Sequence, residues 1–376
     1  MALFPIAVIT LLWKDQFGLS MTEIMALQAV FGIVVAVLEF PSGYIADRLG
    51  YRPTLLGAAI VSLVGWSMYL RASDFWTVAL AEGILGIAVS LISGADTALL
   101  YESLHATGRA GEFASWYGRF RFSGEVAEGS AALAAGALYA WWDRLPFVVE
   151  ILAWALNVGV AWLLVEPARH RPPMTQTWTQ VRGLFRFVFH QHHLRAIIFL
   201  SIILGTSSFI PVWLIQIYAR DAGVPVAWIG VMWAAANYSV ALGSLTSARL
   251  GSSLGVLPTL FLCITLVAIG YAGLGLSHAL YGFAFYFCLT VMRGLNGPLL
   301  HTEEQQLIPS SDRAGLISLR GFLFRSNFVW LGPAVGYAVD HFGQHRVLLG
   351  LGPALTIAAL LGWHWLARAH AGYKHR

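Results

Sequence analysis

The chain has 376 residues, of which 58% are hydrophobic and only 11% charged, and its mean hydropathy is +0.68. Soluble domains hold about 45–50% apolar and about 25% charged residues, so composition excludes an ordinary soluble protein and points to the bilayer. The formal net charge of +4 does not indicate nucleic acid, because the only lysines are Lys14 and Lys374 and the arginines are spread over short loops.

Apolar runs long enough to cross about 30 Å of hydrocarbon as helices recur along the whole chain. They predict twelve spans, at roughly 1-13, 21-44, 53-71, 75-103, 113-141, 145-165, 194-218, 226-248, 256-277, 279-302, 316-338 and 346-368. The first run lacks a basic leader and a small-residue cleavage site, so it reads as helix one rather than as a signal peptide. It is cut short, with about 13 residues before Lys14 where about 20 are needed. Either its start lies upstream or the bilayer thins around it; the second option costs energy for every ångström of mismatch, which favours the first.

Connections are short except at 166–192. There Arg169, His170, Arg171, Pro172 and Pro173 precede an amphipathic stretch, Trp178 to His193. Basic and aromatic residues in that pattern suit a helix at an anionic headgroup surface, with calmodulin-like binding as the weaker alternative. Cys263 and Cys288 both lie in apolar runs. They read as small buried hydrophobes, so neither a disulfide nor a metal cluster is argued from them, and no cofactor or metal is expected.

When alternate connections are assigned to opposite sides, Lys14, Arg71, Arg144, Arg220 and Arg346 fall on one side. The remaining eighteen of the 23 basic residues fall on the other. That bias places both termini and the long linker in the cytoplasm, and the protein is expected in the cytoplasmic membrane. The chain also repeats itself. Gly50-Tyr51-Arg52-Pro53-Thr54-Leu55 is echoed by Gly255-Val256-Leu257-Pro258-Thr259-Leu260, and Arg109-Ala110-Gly111 with Arg121 by Arg313-Ala314-Gly315 with Arg325. The offsets, 205 and 204 residues, describe two six-helix halves of one topology.

The loop Gly43-Tyr44-Ile45-Ala46-Asp47-Arg48-Leu49-Gly50-Tyr51-Arg52-Pro53 joins spans two and three. It resembles the loop motif of the major facilitator superfamily, G-x-x-x-D-R-x-G-R-[RK], with Tyr51 where a second basic residue is usual. Gly332-Pro333-Ala334-Val335-Gly336, and Ile308-Pro309 through Arg313, are weaker likenesses in the second half. The resemblance implies an all-α polytopic membrane protein with halves 1-165 and 194-376 related by a pseudo-two-fold axis, joined by a linker at 166-193. It implies a secondary transporter that rocks about a central solute site, and a latch of Gly43, Asp47, Arg48, Gly50 and Arg52 closing the cytoplasmic side. Asp47 is expected to pair with an arginine or a helix N-terminus, Gly43 to permit close helix approach and Gly50 to make the turn. An ordinary positive-inside loop is the bland alternative.

Charges inside spans usually face a cavity or a partner. Arg121, Glu125 and Glu128 fall at i, i+4 and i+7 on one face of span five. Asp96 in span four lies at similar depth and is expected to pair with Arg121, which leaves Glu125 or Glu128 to take up protons or meet a cation. A purely structural network is the alternative for Asp96 and Arg121. In the second half Arg293 and Asn296 are cavity candidates, and Arg325 is expected to pair with Glu303 or Glu304. Glu39, Glu82, Glu150, Asn157, Asn237 and Asn327 read as interhelical hydrogen bonding. Trp213, Trp228, Trp233 and Tyr238 are candidates for stacking on a solute. Gly83, Gly86, Gly94, Gly129 and Gly136 are expected to allow close packing.

An acidic, aromatic cavity suits lipophilic cations, which puts proton-coupled export first and proton-linked uptake of a small organic solute second. Span five lacks the proline of the family's antiporter motif, which weakens export. No H-E-x-x-H, G-x-S-x-G, G-x-G-D or phosphate-binding loop supports an enzyme. A non-transporting receptor on the same fold is the remote alternative. The expected partners are a small-molecule substrate, protons and the lipid bilayer, not nucleic acid, and the chain is expected to act as a monomer.

Overall fold

The computed structural model describes residues 3–167, 178–308 and 313–374. No strand occurs among them. The helices are α1 (Ile9–Leu11), α2 (Met21–Leu49), α3 (Tyr51–Met68), α4 (Phe75–Ile92), α5 (Ala95–Ala106), α6 (Phe113–Trp141), α7 (Leu145–Leu163), α8 (Trp178–His190), α9 (His192–Asp221), α10 (Val226–Leu254), α11 (Val256–Leu276), α12 (Tyr286–Gln306), α13 (Arg313–Phe342) and α14 (Gln344–Lys374).

Local sequence explains the helix starts. Ser20 opens α2 with a capping box: its hydroxyl accepts from the Glu23 N–H at 3.2 Å while Glu23 accepts from the Ser20 N–H at 2.8 Å. Asp74 opens α4 by accepting from the N–H groups of Trp76 and Thr77 at 2.9 and 3.1 Å. Those donors, Thr77 first, hold its carboxyl below the usual range. Gly50 at φ +114° divides α2 from α3, and Gly255 at φ +91° divides α10 from α11. Both take a backbone conformation that side chains with a Cβ rarely adopt.

Twelve spans are expected from hydropathy. Among the described residues, eight helical stretches are both long and apolar enough to cross a membrane. The shortfall has physical causes. Helix α3 has 18 residues and opens on Tyr51, Arg52 and Pro53. Helix α6 carries Arg119, Arg121, Glu125 and Glu128, and α13 carries Arg313, Arg320, Arg325 and Asp340; helices that line a bundle interior hold such residues at the expense of hydropathy. The opening run is a 3-10 turn at Pro5–Ala7, the single turn of α1, and a π turn at Leu12–Gln16. Although short, it is packed away: Val8, Leu11, Leu12 and Trp13 have no exposed surface.

The chain divides into two compact units, one of Met1–Gln176 with Val226–Ala234 and one of Thr177–Pro225 with Ala235–Arg376. In the first, α4 packs against α2 and α3, and α3 also packs against α7. Gly86 lies against Val34 of α2, where a Cβ would stand 3.0 Å from that side chain. Gly136 of α6 lies against the opening turns of α10, where a Cβ would stand 2.6 Å from the Ala227 carbonyl. Gly83 and Gly94, expected to act in the same way, face open space.

In the second unit α11 packs against α12 and α14, and α9 against the same two helices. Four helix-internal prolines, Pro211, Pro298, Pro333 and Pro353, interrupt the backbone ladder there, and at the first two a side chain of a neighbouring helix repairs it. Pro211 frees the Ser207 carbonyl, which accepts from the fully buried Tyr271 hydroxyl at 2.9 Å. Pro298 frees the Gly294 carbonyl, which accepts from Ser244 of α10 at 3.2 Å. Helix α8 also belongs to this unit. Its Val188, with Phe185 and Phe187, packs with Leu194 and Ile198 of α9 and with Leu316 and Leu319 of α13. Phe185, Phe187 and Val188 of the amphipathic stretch are thus turned to protein.

Candidate functional site

The latch is expected at the junction of α2 and α3. Gly50 supplies the turn, and the first N–H groups of α3 meet a carboxylate, as a helix start favours. That carboxylate is Glu166, from beyond α7, accepting from Tyr51 at 3.0 Å and Arg52 at 2.7 Å. Arg52 folds back over the same segment, donating to the Trp162 carbonyl at 2.7 Å and lying 5.7 Å above the Trp162 ring. Asp47 and Arg48 are exposed at the end of α2, and Arg48 bonds the Tyr44 hydroxyl at 2.9 Å. A Cβ at Gly43 would meet nothing within 4 Å, so the close helix approach expected of it is not made among the described residues.

The repeat returns at this junction in three dimensions. Thr54 bonds the Gly50 carbonyl at 2.7 Å and Thr259 bonds the Gly255 carbonyl at 2.8 Å. The two halves differ in the clamp. A Cβ at Gly50 would press on Glu166 Oε1 at 3.1 Å and Pro53 Cδ at 3.2 Å, whereas at Gly255 the nearest atom is Pro258 Cδ at 3.7 Å. Gly50→Ala is therefore expected to lower stability by about 2–3 kcal/mol and Gly255→Ala by about 1 kcal/mol, from backbone strain alone in the second case. Thermal unfolding of the two variants in one detergent checks the order; equal losses would mean that Glu166 adds nothing.

Span four is interrupted in its middle. Helix α4 stops at Ile92, Gly94 takes φ +84°, and α5 begins at Ala95. Asp96 is half-buried in the first turn of α5, its carboxylate accepting from the Thr97 N–H at 2.6 Å and its hydroxyl at 3.2 Å. Glu128 is half-buried on α6. The side chains of Arg121 and Glu125, its expected companions, lie outside the described residues, and the Asp96–Arg121 pair with them. Just before α6, Glu112 binds Arg109 at 2.8 and 2.6 Å and the Trp116 ring N–H at 3.1 Å. Arg109, and after it Trp116, hold the Glu112 carboxyl down to about 2.

The second unit contains a cavity of about 240 Å³ lined by Ser201 of α9, Asn296, Gly297 and Leu300 of α12, and Arg320 and Phe324 of α13. It lies beside Pro298, which removes one backbone hydrogen bond within the continuous α12. Asn296 is 8% exposed and donates to the Met292 carbonyl at 2.8 Å. Arg320 binds Glu304 at 2.7 Å; Glu304 is 1% and Arg320 28% exposed, so the cavity wall carries an ion pair whose carboxylate is buried. His301 Nδ1 stands 3.9 Å from the same carboxylate. Arg293 is exposed on α12. Of the aromatic candidates, Trp213 is buried in the second unit against Phe209 at 5.9 Å between ring centres, and Trp233 is buried in the first. Trp228 and Tyr238 are 61% and 42% exposed.

Two carboxylates read from the sequence as interhelical hydrogen bonding are buried and held by neutral donors. Glu82, 5% exposed, binds the Tyr69 hydroxyl and Gln28. Glu150, fully buried, accepts from the Phe4 N–H at 3.0 Å and the Trp154 ring N–H at 2.8 Å. Glu150 thus anchors the opening run through a backbone donor that its few turns leave unpaired.

A family model described as Major Facilitator Superfamily matches residues 1–328. No curated protein matches the chain by sequence. The fold is similar to crystal structures of the nucleoside transporter NupG: a point variant of it superposes with a TM-score of 0.81 at 14% identity, covering 96% of this chain and 95% of that one. Unmutated NupG gives 0.79 at 15% identity, with coverage of 96% and 95%. A bacterial homologue of the human lysosomal transporter Spinster, inward-facing and unoccupied, gives 0.70 at 14% identity, covering 99% of this chain and 93% of that one. At these identities the likeness carries the fold and no substrate.

Proposed function

The chain belongs to the major facilitator superfamily and is a multi-pass membrane protein with the fold of that family's transporters, and on this premise we propose that it is a secondary active transporter coupling protons to the export of small lipophilic or cationic compounds. The reading rests above all on one observation. The Gly94 interruption of span four and Pro298 in span ten are 204 residues apart, the spacing of the half-chain repeat. Gly94 breaks span four, and Pro298 frees one backbone carbonyl within the continuous α12; weakened backbone is tolerated at membrane depth only beside a cavity or buried protein, which is where a solute site can be built. Ionisable groups flank both places: Asp96 follows Gly94, and Glu304 with Arg320 lies beside Pro298.

In this reading Glu128 and Glu125 exchange protons on α6, Asp96 pairs with Arg121, and the Gly50 junction latches the cytoplasmic side in one state. The halves rotate about a midplane site, and the proton gradient biases the two states. The protein acts as a monomer in the cytoplasmic membrane with both termini inside. Dye accumulation in cells lacking and expressing the protein, with and without an uncoupler, tests it. Expression is expected to lower accumulation until the uncoupler is added, and Glu128→Gln to abolish that difference while the protein still reaches the membrane. Full activity in both Glu128→Gln and Glu125→Gln would remove the acids from the mechanism. Uptake of a small polar solute is the second reading, favoured by Ser201, Asn296 and Arg320 on the wall of the 240 Å³ cavity; raised, uncoupler-sensitive accumulation of a polar solute would select it.

A further inference from the structure

Three side chains with metal-binding atoms converge at one end of the second unit. His193 lies in the first turn of α9, Glu303 in the last turn of α12 and His370 near the end of α14. One ligand atom from each lies within 4.8 Å of the other two, and all three residues are half-buried. The two imidazoles meet edge to face with centroids 5.6 Å apart. Ligand atoms around an ion at 2.0–2.1 Å stand about 3.3 Å apart, so the set closes on a metal by side-chain rotation of about 1.5 Å at most.

Position favours a cation as well as distance. The ends of α12 and α14 bring the negative poles of two helix dipoles to the site against the single positive pole of α9. Two imidazoles and one carboxylate select a borderline ion with an open fourth position, where hard ions such as Mg²⁺ prefer all-oxygen cages. The residues are 110 and 67 positions apart in sequence, so no short spacing motif announces them.

We propose that His193, Glu303 and His370 form a binding site for a divalent transition-metal ion of the zinc class, which clasps the ends of α9, α12 and α14. This is independent of the solute carried. The test uses the full chain, freed of any affinity tag, titrated with Zn²⁺ by equilibrium dialysis and with Co²⁺ by visible absorption, in the presence of excess Mg²⁺. One equivalent of Zn²⁺ is expected to bind, to raise the unfolding temperature, and to displace Co²⁺ that shows the intense bands of a four- or five-coordinate ion. Glu303→Gln and His370→Ala are each expected to weaken binding by at least about tenfold, the loss that even a supporting neighbour of a metal ligand causes. His192→Ala, one residue away from the set, should bind as the parent does. Absence of stoichiometric binding to the parent chain, displacement by Mg²⁺, unchanged affinity in Glu303→Gln and His370→Ala, or an equal loss in His192→Ala would each overturn the site.

Discussion

Arg320→Ala is expected to destabilise the second unit by about 3–5 kcal/mol, because it strands a buried carboxylate. Glu304 is 1% exposed and its Oε2 sits 2.7 Å from the Arg320 guanidinium. Its Oε1 has no hydrogen-bond partner among the described residues, so the guanidinium carries most of the compensation. His301, at 3.9 Å, is beyond hydrogen-bond reach. Replacing both members by groups of similar volume, Arg320→Met with Glu304→Gln, is expected to recover most of the loss, since the buried carboxylate charge then disappears with its partner. Arg320 also lines the cavity. The double variant should therefore regain stability without regaining transport, which separates the structural role of the pair from its role toward a solute. Unfolding in micelles and flux into liposomes measure the two; Arg320→Ala within about 1 kcal/mol of the parent would show the carboxylate to be solvated or neutral.

The pair shows where sequence reasoning stops. Arg325 holds the position matching Arg121 in the repeat, which makes it the natural partner for Glu303 or Glu304. Glu304 is held by Arg320. Residues five apart on a helix point about 140° away from each other, so choosing between the two arginines requires the rotation of α13 against α12, which no periodicity within one helix supplies. Glu166 is hidden for a similar reason. It acts on the start of α3 from 115 residues away, and in sequence it is one acid at the edge of a linker. What was legible is what local backbone demands: Gly50 and Gly255 at positive φ, each followed by a threonine that bonds its carbonyl. The family resemblance was legible for the same reason, since its motif is built on that turn. Span counting by hydropathy gave the helix order, but α6 and α13, which carry the most charges, are the helices that hydropathy describes worst.

Gly294→Ala carries the second large effect. Helices α10 and α12 meet through Gly243 and Gly294, and no flexible side chain lies between them. A Cβ at Gly294 would run into the Val240 carbonyl and stand 3.0 Å from Gly243 Cα. Because the obstacle is backbone, the helices must part, and overpacking of that kind costs about 1–3 kcal/mol. Parting them also stretches two hydrogen bonds, Ser244 to the Gly294 carbonyl at 3.2 Å and Ser247 to the Leu295 carbonyl at 2.7 Å. The first repairs the break left by Pro298, so the loss belongs at the upper end, about 3 kcal/mol or slightly more. Gly297→Ala is the matched control on the same helix. A Cβ there meets nothing within 4 Å, and alanine in a helix interior is favoured over glycine by about 1 kcal/mol, so stability is expected to hold or rise. Yet Gly297 lines the cavity, and the added methyl group narrows it. If that cavity receives the solute, Gly297→Ala keeps its unfolding temperature and loses apparent affinity, whereas Gly294→Ala loses both. A Gly297→Ala protein with unchanged transport kinetics would move the solute site away from the Pro298 interruption.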